Sequence, residues 1–308
     1  MYHYKAFNLH FITPFECPEL IEINENNALE KIKVNYSKLP QNLDKNLVNE
    51  DRYYQSNENE YLLNIKDIAR FLIKNGNEIL IEEKENLPIE TLRLYLFGSA
   101  IGALLHQRKA FPFHASAIVT SKGIILFCGD SGAGKSTTLQ AFLKKGYKKI
   151  SDDTISMFYD ENKKQIMCVP SYPQSKIWQN TADIFNHDTN NLRQMHKDFK
   201  KFALPTHDKF EDKILPLHAI YELNIHEEDD LKIEKISSNT DKLNTIIYNT
   251  YRYYYLDKLP QRKNHFDLSL KIVKNVDIYK LLRPKDKNSL DEIIKNIENN
   301  ILISDNFK

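Results

Sequence analysis

The sequence predicts an α/β protein with a small β-rich region at its N-terminus, and two features of the chain indicate this class. In the first part of the chain, apolar stretches alternate with turns rich in Asn and Glu, which is typical of short strands. Further along, a short apolar run leads into a glycine-rich loop and then into a helical pattern, as in an α/β phosphate-binding unit. We therefore expect a β-rich N-terminal region over residues 1–87 and an α/β domain over residues 88–308.

The composition narrows the classes of function. The 308 residues include 43 Lys and Arg and 42 Asp and Glu, so no excess of positive charge predicts a nucleic-acid or anionic-membrane partner. No apolar run reaches the length of a transmembrane helix, and the first residues lack the order of a signal peptide. The three cysteines and ten histidines match neither a disulfide framework nor a zinc site. We expect a cytoplasmic protein with no nucleic-acid and no membrane partner.

Apolar spacing predicts the elements before the glycine-rich loop. The N-terminal strands are expected at residues 5–13, 31–39, 61–65, 71–73 and 78–82. Residues 90–107 predict a mainly buried helix in which Gly98 and Gly102 permit close packing. Residues 111–119 predict a strand that forms a hairpin with a second strand over residues 123–128. The hairpin would bring His114 towards the loop, and the alternative is a purely structural histidine.

The glycine-rich loop matches the phosphate-binding pattern G-x-x-x-x-G-K-[ST]. Three of the eight glycines fall within it, and a helix is expected to follow over residues 136–145. In such a loop, backbone N–H groups and the helix N-terminus converge on a phosphate, a lysine reaches the outer phosphates, and a hydroxyl ligates Mg²⁺. The pattern therefore predicts a nucleotide site, here called the phosphate loop, made of Gly129, Asp130, Ser131, Gly132, Ala133, Gly134, Lys135, Ser136 and Thr137.

Two adjacent acidic residues, Asp152 and Asp153, follow the phosphate loop closely. Residues 147–151 predict a short strand, and so compact a strand–helix–strand unit would place both carboxylates beside the loop, at the end of the neighbouring strand. Because adjacent residues of a strand point to opposite faces, we expect one to hold Mg²⁺ and the other to accept the proton of an attacking hydroxyl. Neither an N-K-x-D motif nor a transporter-ATPase signature occurs, which disfavours a GTPase and a transporter ATPase.

Further elements are expected after the acidic pair. The sequence predicts a hairpin of residues 154–159 with 165–169 and a strand pair of residues 219–224 with 231–236. It also predicts four helices, at residues 178–185, 240–251, 266–273 and 289–301. Residues 197–201 predict a solvated helix face, with attraction of an acidic peptide as the alternative. Arg252 and Arg283 predict surface salt bridges, with stabilisation of transition-state charge as the alternative. The tyrosines around Arg252 predict packing, with stacking on adenine or a peptide as the alternative.

The motifs together resemble a known family. His114-Ala-Ser-Ala, the phosphate loop, Gly146-Tyr147 and Ser151-Asp152-Asp153 are similar to the catalytic core of HPr kinase/phosphorylase, over about residues 110–160. The resemblance implies an α/β fold with a P-loop kinase core of the HPr kinase/phosphoenolpyruvate carboxykinase type, and it implies ATP and Mg²⁺ as cofactors. It also implies three catalytic residues and two metal-binding residues. Asp152 would be the general base towards a serine hydroxyl, His114 would interact with the aspartate or the transferred phosphate, Lys135 would bind phosphate, and Ser136 and Asp153 would lie near the metal.

A looser resemblance extends over nearly the whole chain. The acidic residue followed by Val-Arg-Gly-Leu-Gly, which the bifunctional enzymes carry, does not occur after residue 160. Instead, the motifs at residues 169–173, 176–178 and 215–221 resemble the shorter HPr-kinase-like proteins of lasso-peptide clusters. This resemblance implies a kinase for the C-terminal serine of a precursor peptide, which would be the partner. HPr-like protein, a small hydroxylated metabolite or free amino acid as acceptor, and a non-catalytic nucleotide-responsive regulator stay as alternatives. The oligomeric state is open and includes a homo-oligomer.

Overall fold

The computed structural model describes residues 1–43, 49–50, 53–196 and 199–303, which form a mixed α/β structure. In this described part, the strands form three sheets, here called the N-terminal sheet, the central sheet and the small sheet. The helices are α1 (Ile89–Tyr95), α2 (Ile101–Gln107), α3 (Lys135–Lys144), α4 (Gln179–Phe185), α5 (Asn239–Tyr248), α6 (Gln261–Asn275) and α7 (Leu290–Ile303). A π turn (Leu96–Ala100) joins α1 to α2, and short 3₁₀ turns lie at Thr189–Asn191, His207–Lys209 and Tyr253–Leu256. No described helix has the length and apolar character needed to cross a lipid bilayer.

The N-terminal sheet confirms the β-rich character predicted for this region. Its strands are β1 (Tyr2–Ala6), β2 (Leu9–Thr13), β3 (Ile21–Glu22), β4 (Lys31–Tyr36), β5 (Asn49–Glu50), β6 (Tyr54–Ser56), β7 (Glu60–Ile65), β8 (Ala69–Lys74) and β9 (Glu78–Glu83). They are ordered β3-β1-β2-β4-β9-β8-β7-β6-β5. The helix predicted over residues 90–107 is confirmed as α1, the π turn and α2, and its apolar side chains share a core with this sheet. The boundary at residue 87 stays a prediction.

The predicted close packing at the helix glycines is confirmed at Gly102 but not at Gly98. A Cβ at Gly102 would lie 2.9 Å from Cε1 of Tyr251, closer than real Cβ contacts, so the ring occupies the space of a missing side chain. At Gly98, a Cβ would lie 3.5 Å from the Tyr251 hydroxyl, an ordinary contact. Tyr251 is therefore seated directly against the backbone of the helical segment.

The central sheet holds the elements of the predicted phosphate-binding unit. Its strands are β10 (Phe111–His114), β11 (Ser116–Thr120), β12 (Gly123–Cys128), β13 (Lys148–Ser151), β14 (Thr154–Asp160), β15 (Gln165–Val169), β19 (Leu215–His226), β20 (Lys232–Lys235) and β21 (Asp277–Pro284). The main order is β10-β14-β15-β19-β12-β11-β13, and β21 lies beside β19 with β20 beyond it. Both faces of β12 are buried: Ile124 and Leu126 face the core below α5 and α6, and Ile125 and Phe127 face α3 and α7. This two-sided burial explains the continuous apolar run before the loop.

Two of the expected strand arrangements around the loop are wrong. The strand predicted over residues 111–119 is two strands, because it is interrupted at Ala115. The Ala115 N–H donates to the Asp153 carbonyl at 3.1 Å. The hairpin is confirmed only for β11 with β12, whereas β10 pairs with β14. The strand before the acidic pair, β13, does not neighbour β12 either, because β11 lies between them and pairs with both.

The strand pair predicted after residue 215 is also wrong in its partners. Both strands form, as β19 and β20, but each pairs with β21 and not with the other. The strand β21 was not predicted. It pairs in parallel with β19 over eight residues, a contact between segments far apart in the chain. The predicted hairpin of β14 with β15 is confirmed. The four predicted helices are confirmed as α4, α5, α6 and α7.

The small sheet packs beside the loop and contains β16 (Gln174–Trp178), β17 (Arg193–His196) and β18 (Phe199–Pro205), in the order β16-β18-β17. The helix face predicted over residues 197–201 is therefore wrong for its last three residues, which open β18. Residues 197–198 lie outside the described residues. Phe202 of β18 is buried in a small apolar cluster with Ile177 of β16 and Ala182 of α4.

Candidate nucleotide and phosphoryl-transfer site

The phosphate loop joins β12 to α3, as predicted. Three of its glycines, Gly129, Gly132 and Gly134, have positive φ values of 122°, 88° and 108°, a region that favours glycine. At Gly129, a Cβ would also lie 2.4 Å from the Leu223 carbonyl oxygen, so this position has no room for a side chain. Within the described chain, the N–H groups of Gly132 and Gly134 have no hydrogen-bond partner, which leaves them for an anion.

Lys135 folds back over the phosphate loop. Its Nζ donates to the carbonyls of Gly129 at 2.7 Å and Asp130 at 3.0 Å, and the residue is 9% exposed. Burial lowers the pKa of this amine, while the charge of Asp153 opposes the shift. The loop therefore contains a buried cation whose hydrogen bonds go to neutral carbonyls, and this suits a phosphate binding site.

Residues 248–252, the last residue of α5 and the four that follow it, are here called the α5 tail and contact the outer side of the phosphate loop. The Asn249 side-chain oxygen accepts from the Gly129 N–H at 2.8 Å, and the Tyr248 hydroxyl donates to Asp130 Oδ1 at 2.7 Å. The same segment pairs with β10, because the His114 N–H donates to the Asn249 carbonyl at 2.8 Å. The α5 tail thus connects the phosphate loop to the strand that carries His114.

Arg283, on β21, contacts the opposite side of the phosphate loop. Its Nε donates to the Ala133 carbonyl at 2.8 Å, and Nη2 donates to the Gly132 carbonyl at 3.3 Å. Neither predicted role of Arg283 describes these contacts, since the guanidinium binds backbone carbonyls of the loop. Its structural role depends on the pairing of β21 with β19, which the sequence did not predict.

Asp152 is almost fully buried, at 6% exposure. Its Oδ2 accepts from the Lys176 backbone N–H at 2.6 Å, and its Oδ1 accepts from the Ser116 hydroxyl at 3.2 Å. Burial raises the pKa of this carboxyl, and the nearby charge of Lys149 opposes the shift. Lys149 is itself buried, donates to the Gln174 carbonyl at 2.7 Å, and has a pKa lowered by burial to about 8. A carboxyl with a raised pKa is suited to accept a proton.

Asp153 has different partners from Asp152, although the two residues lie in the bend between β13 and β14 and not on a strand as predicted. Its Oδ2 lies 2.6 Å from Nζ of Lys176, and its Oδ1 lies 3.5 Å from Nδ1 of His114. Burial would raise the pKa of Asp153, but the charge of Lys176, helped by His114, offsets this and holds the pKa below its usual range. The two carboxyls therefore have pKa values shifted in opposite directions, an arrangement common where acid–base roles are divided.

His114 donates from Nδ1 to the Asp153 carbonyl at 2.9 Å, since a carbonyl can only accept. Burial lowers the pKa of this imidazole, and Asp153 opposes the shift. The side chain is partly exposed and lines the same cavity as the phosphate loop. The structure thus brings the predicted histidine, both aspartates and the loop together, although β10 carries the histidine outside the predicted hairpin.

One cavity of about 120 Å³ contains most of the predicted site residues. They are His114, Ser131, Gly132, Gly134, Lys135, Ser136, Thr137, Asp152 and Asp153. The remaining loop residues, Gly129, Asp130 and Ala133, do not line it and instead hold the loop in place through the contacts to Asn249, Tyr248 and Arg283.

Comparisons with known proteins do not assign a family. No protein-family model matches the chain, and no curated protein matches it. Among solved structures, the chain is similar to the Hpr(Ser) kinase/phosphatase from Coxiella burnetii, at 13% sequence identity and a TM-score of 0.33. The match covers 63% of this chain and 97% of that chain. A similarity this distant assigns no activity, so the functional interpretation depends on the site geometry.

Several residues of the cavity were not given roles from the sequence. The small sheet and α4 contribute five of them, Lys176, Trp178, Asn180, Thr181 and Lys201. The spacing of Lys176 and Trp178 could have indicated that both side chains face the cavity, because residues two apart on a strand share a face and both lie on β16. Thr181 approaches the loop through its hydroxyl, 3.0 Å from that of Thr137. The place of Lys201 in the cavity depends on the position of β18, a strand that was not predicted from the sequence.

Proposed function

We propose that the protein is an ATP- and Mg²⁺-dependent kinase that transfers the γ-phosphoryl group of ATP to a hydroxyl. The observation that carries this proposal is the convergence of the phosphate loop, two carboxyls with opposite pKa shifts and His114 on one cavity. A loop that only binds phosphate needs neither carboxyl, whereas transfer to a hydroxyl needs a proton acceptor and a metal ligand.

The residues fit a bound Mg²⁺–nucleotide. The unpartnered loop N–H groups and Lys135 would bind the phosphates, and the Ser136 hydroxyl and the ionised Asp153 would hold Mg²⁺. No cluster of three or more His, Cys, Asp or Glu that could hold a metal occurs in the described part of the chain, which suits an ion that phosphate oxygens help to coordinate. Bound ATP supplies the phosphoryl group, and bound Mg²⁺ offsets its negative charge.

The proton of the acceptor hydroxyl goes to Asp152 in this proposal. The Ser116 hydroxyl and the Lys176 N–H each donate a hydrogen bond to the Asp152 carboxylate and hold its orientation beside the cavity. The carboxylate can therefore accept a proton without changing its side-chain rotamer. As the acceptor oxygen bonds to the γ-phosphorus, the bond from that phosphorus to the β–γ bridging oxygen would break, so that ADP leaves and the hydroxyl proton moves to Asp152. Lys176 keeps Asp153 ionised beside the same cavity.

For the acceptor we propose a serine hydroxyl, with the C-terminal serine of a lasso-type precursor peptide as the first candidate. The looser sequence resemblance supports this choice. An HPr-like protein and a small hydroxylated metabolite or free amino acid are the alternatives within the kinase class. A nucleotide-responsive regulator without catalysis is the alternative outside it.

The test is intact-mass spectrometry after incubation with Mg-ATP and, in parallel, a serine-terminated precursor peptide, HPr or free serine. We expect a phosphoryl mass gain on the peptide that Asp152→Asn abolishes while ATP binding is kept. The matched control is Asp267→Asn, because Asp267 is an exposed aspartate on α6 outside the cavity.

Each other result has a defined meaning. A gain only on HPr or serine would keep the kinase and replace the acceptor. Transfer by Asp152→Asn at the wild-type rate would remove Asp152 as the base. Tight ATP binding without transfer to any hydroxyl would favour the regulator.

A further inference from the structure

A larger cavity of about 340 Å³ adjoins the phosphate-loop cavity. The two share Asp153, Lys176, Trp178 and Lys201. The other walls come from α1, the π turn, β17 and the α5 tail, and include Ser99, Tyr251 and Arg252. The cavity is in the size range of small-ligand sites and opens beside the carboxylate of Asp153. A group bound there would therefore lie next to the transferred phosphoryl group.

The side chains around this cavity carry more positive than negative charge. Lys176 is paired with Asp153, but neither Arg252 nor Lys201 lies within ion-pair distance of a carboxylate in the described chain. Lys201 instead lies over the Trp178 ring, with Nζ 5.2 Å from the ring centroid. The charge of Asp153 acts on Lys201 without a direct ion pair, whereas the described carboxylates leave Arg252 unpaired. A partly buried cation with no direct ion pair costs free energy, and an anionic ligand would reduce that cost.

The guanidinium of Arg252 has unused hydrogen-bonding capacity. Its Nη1 donates to the Tyr254 hydroxyl at 2.8 Å and its Nη2 to the Ser99 hydroxyl at 3.0 Å, so its partners are neutral oxygens. Its Nε is buried and has no hydrogen-bond partner. Arginine donates in a planar fork that matches a carboxylate, and here the fork has no carboxylate to bind.

The position of Arg252 is fixed by its neighbours. Tyr251 packs against Gly102 on one side, and its ring centroid lies 6.0 Å from that of His114 and 5.4 Å from the Arg252 guanidinium carbon. The Tyr251 N–H donates to the Pro112 carbonyl at 2.9 Å, which ties the segment to β10. Tyr251 thus lies between His114, which lines the phosphate-loop cavity, and Arg252, which lines the larger cavity.

We infer that this cavity is the acceptor site, and that Arg252, with Lys201, binds a carboxylate that the acceptor carries close to its reacting hydroxyl. The inference rests on the proposed kinase function and deepens it. A free hydroxy amino acid and the C-terminal serine of a peptide share this chemistry, a primary alcohol a few bonds from a carboxylate. An internal serine, whose carboxyl is an amide, lacks it.

Calorimetric binding to the full chain tests the inference without requiring turnover. The probes are N-acetyl-alanyl-serine with a free carboxylate, the same dipeptide as its C-terminal amide, and L-serine, each with a non-hydrolysable Mg–ATP analogue present. We expect the acid to bind about tenfold more tightly than the amide, because a hydrogen bond to a charged group is worth that much. Arg252→Gln should remove this preference and leave binding of the amide unchanged.

The variants include a matched control and a second probe of the same site. Arg262→Gln changes an exposed arginine that also lies near a tyrosine ring and pairs with Asp257, and it should keep the preference. Lys201→Gln should weaken binding of the acid. If Arg252→Gln fails to fold, Lys201→Gln alone tests whether the larger cavity binds the carboxylate. Tighter binding of L-serine than of the dipeptide acid would identify a free amino acid as the source of the carboxylate, and the reverse order a peptide end.

Three results would overturn the inference. They are equal affinities of acid and amide, an unchanged preference in both Arg252→Gln and Lys201→Gln, and no binding of the acid at millimolar concentration. Equal phosphorylation of acid and amide would keep the kinase and reject the carboxylate site. Carboxylate-dependent binding without transfer to any acceptor would reject the kinase and leave an anion-binding cavity.

Discussion

Single residues around the acidic pair shift the pKa values of its two carboxyls in opposite directions. Asp152 and Asp153 are adjacent and burial raises the pKa of each, but for Asp153 the charge of Lys176, helped by His114, outweighs burial, so the two pKa values shift in opposite directions. The sequence predicted two roles from strand alternation, but that reasoning is wrong, because the pair lies in the bend between β13 and β14 and its different hydrogen-bond partners do not come from the alternation of a strand. It could not predict which cations lie nearby, because Lys149 and Lys176 reach the carboxyls through the tertiary packing of β13 and β16.

Lys149→Met should move the acid limit of phosphoryl transfer to higher pH. The raised pKa of Asp152 means that transfer falls as pH decreases through that value, because the protonated carboxyl cannot accept a proton. Lys149 opposes the rise, so without its charge the pKa increases further and transfer is lost at a higher pH. The measurement is the pH dependence of the transfer rate at saturating ATP.

The control for this prediction is the neighbouring residue on the same strand. Lys148 is exposed and pairs with Glu211 at 3.4 Å, so Lys148→Met should leave the acid limit where it is in the wild type. Superimposable pH profiles for Lys149→Met and the wild type would show that Lys149 does not act on Asp152.

Elements that depend on neighbouring residues were predicted well. The phosphate loop, α3 and the segment of α1 and α2 follow from local glycine placement and helical spacing, and the structure confirms them. The α5 tail was predicted only as packed aromatic residues at the end of a helix. Its contacts to Gly129, Pro112 and the π turn join parts of the chain that no local pattern relates.

Gly102→Ala should destabilise the protein, although alanine favours helix. The new Cβ would lie 2.9 Å from Cε1 of Tyr251, and such overpacking of a well-packed core costs about 1–3 kcal/mol, against a gain of about 1 kcal/mol in helix propensity. Urea denaturation should therefore show a lower free energy of unfolding for Gly102→Ala. Gly98→Ala is the matched control, since its Cβ makes only an ordinary contact, and it should be neutral or stabilising. A stability of Gly102→Ala equal to that of Gly98→Ala would mean that Tyr251 is free to move.

For the whole molecule, strand order was the hardest feature to predict. Each central strand except β21 was expected from its apolar run, yet the pairing of β10 with β14 and of β21 with β19 and β20 could not be read from the sequence. Pairing between distant segments depends on which faces are left uncovered after the rest has packed, and periodicity carries no such information. The same limit concealed the position of Lys201, and it left Arg252 and Arg283 with two alternative roles and no contacts to the phosphate loop or the larger cavity.

Bound Mg-ATP should stabilise the entire fold through the phosphate loop. A ligand that binds only the folded state, at one hundred times its dissociation constant, adds about 2.7 kcal/mol to the free energy of unfolding. Lys135→Met should lose most of this stabilisation, because the amine is the buried cation of the loop. Lys144→Met, at the other end of α3, should retain it. Equal stabilisation of the two variants in denaturation with and without Mg-ATP would place the nucleotide elsewhere.

The α5 tail has a thermodynamic consequence for the two cavities. Its five residues make three kinds of contact. The Asn249 side chain hydrogen-bonds the phosphate loop, the Asn249 carbonyl accepts from the His114 N–H of β10, and Arg252 lines the larger cavity. We therefore expect occupants of the two cavities to be energetically coupled. The factor by which the first alters the dissociation constant of the second would equal the factor in the reverse order.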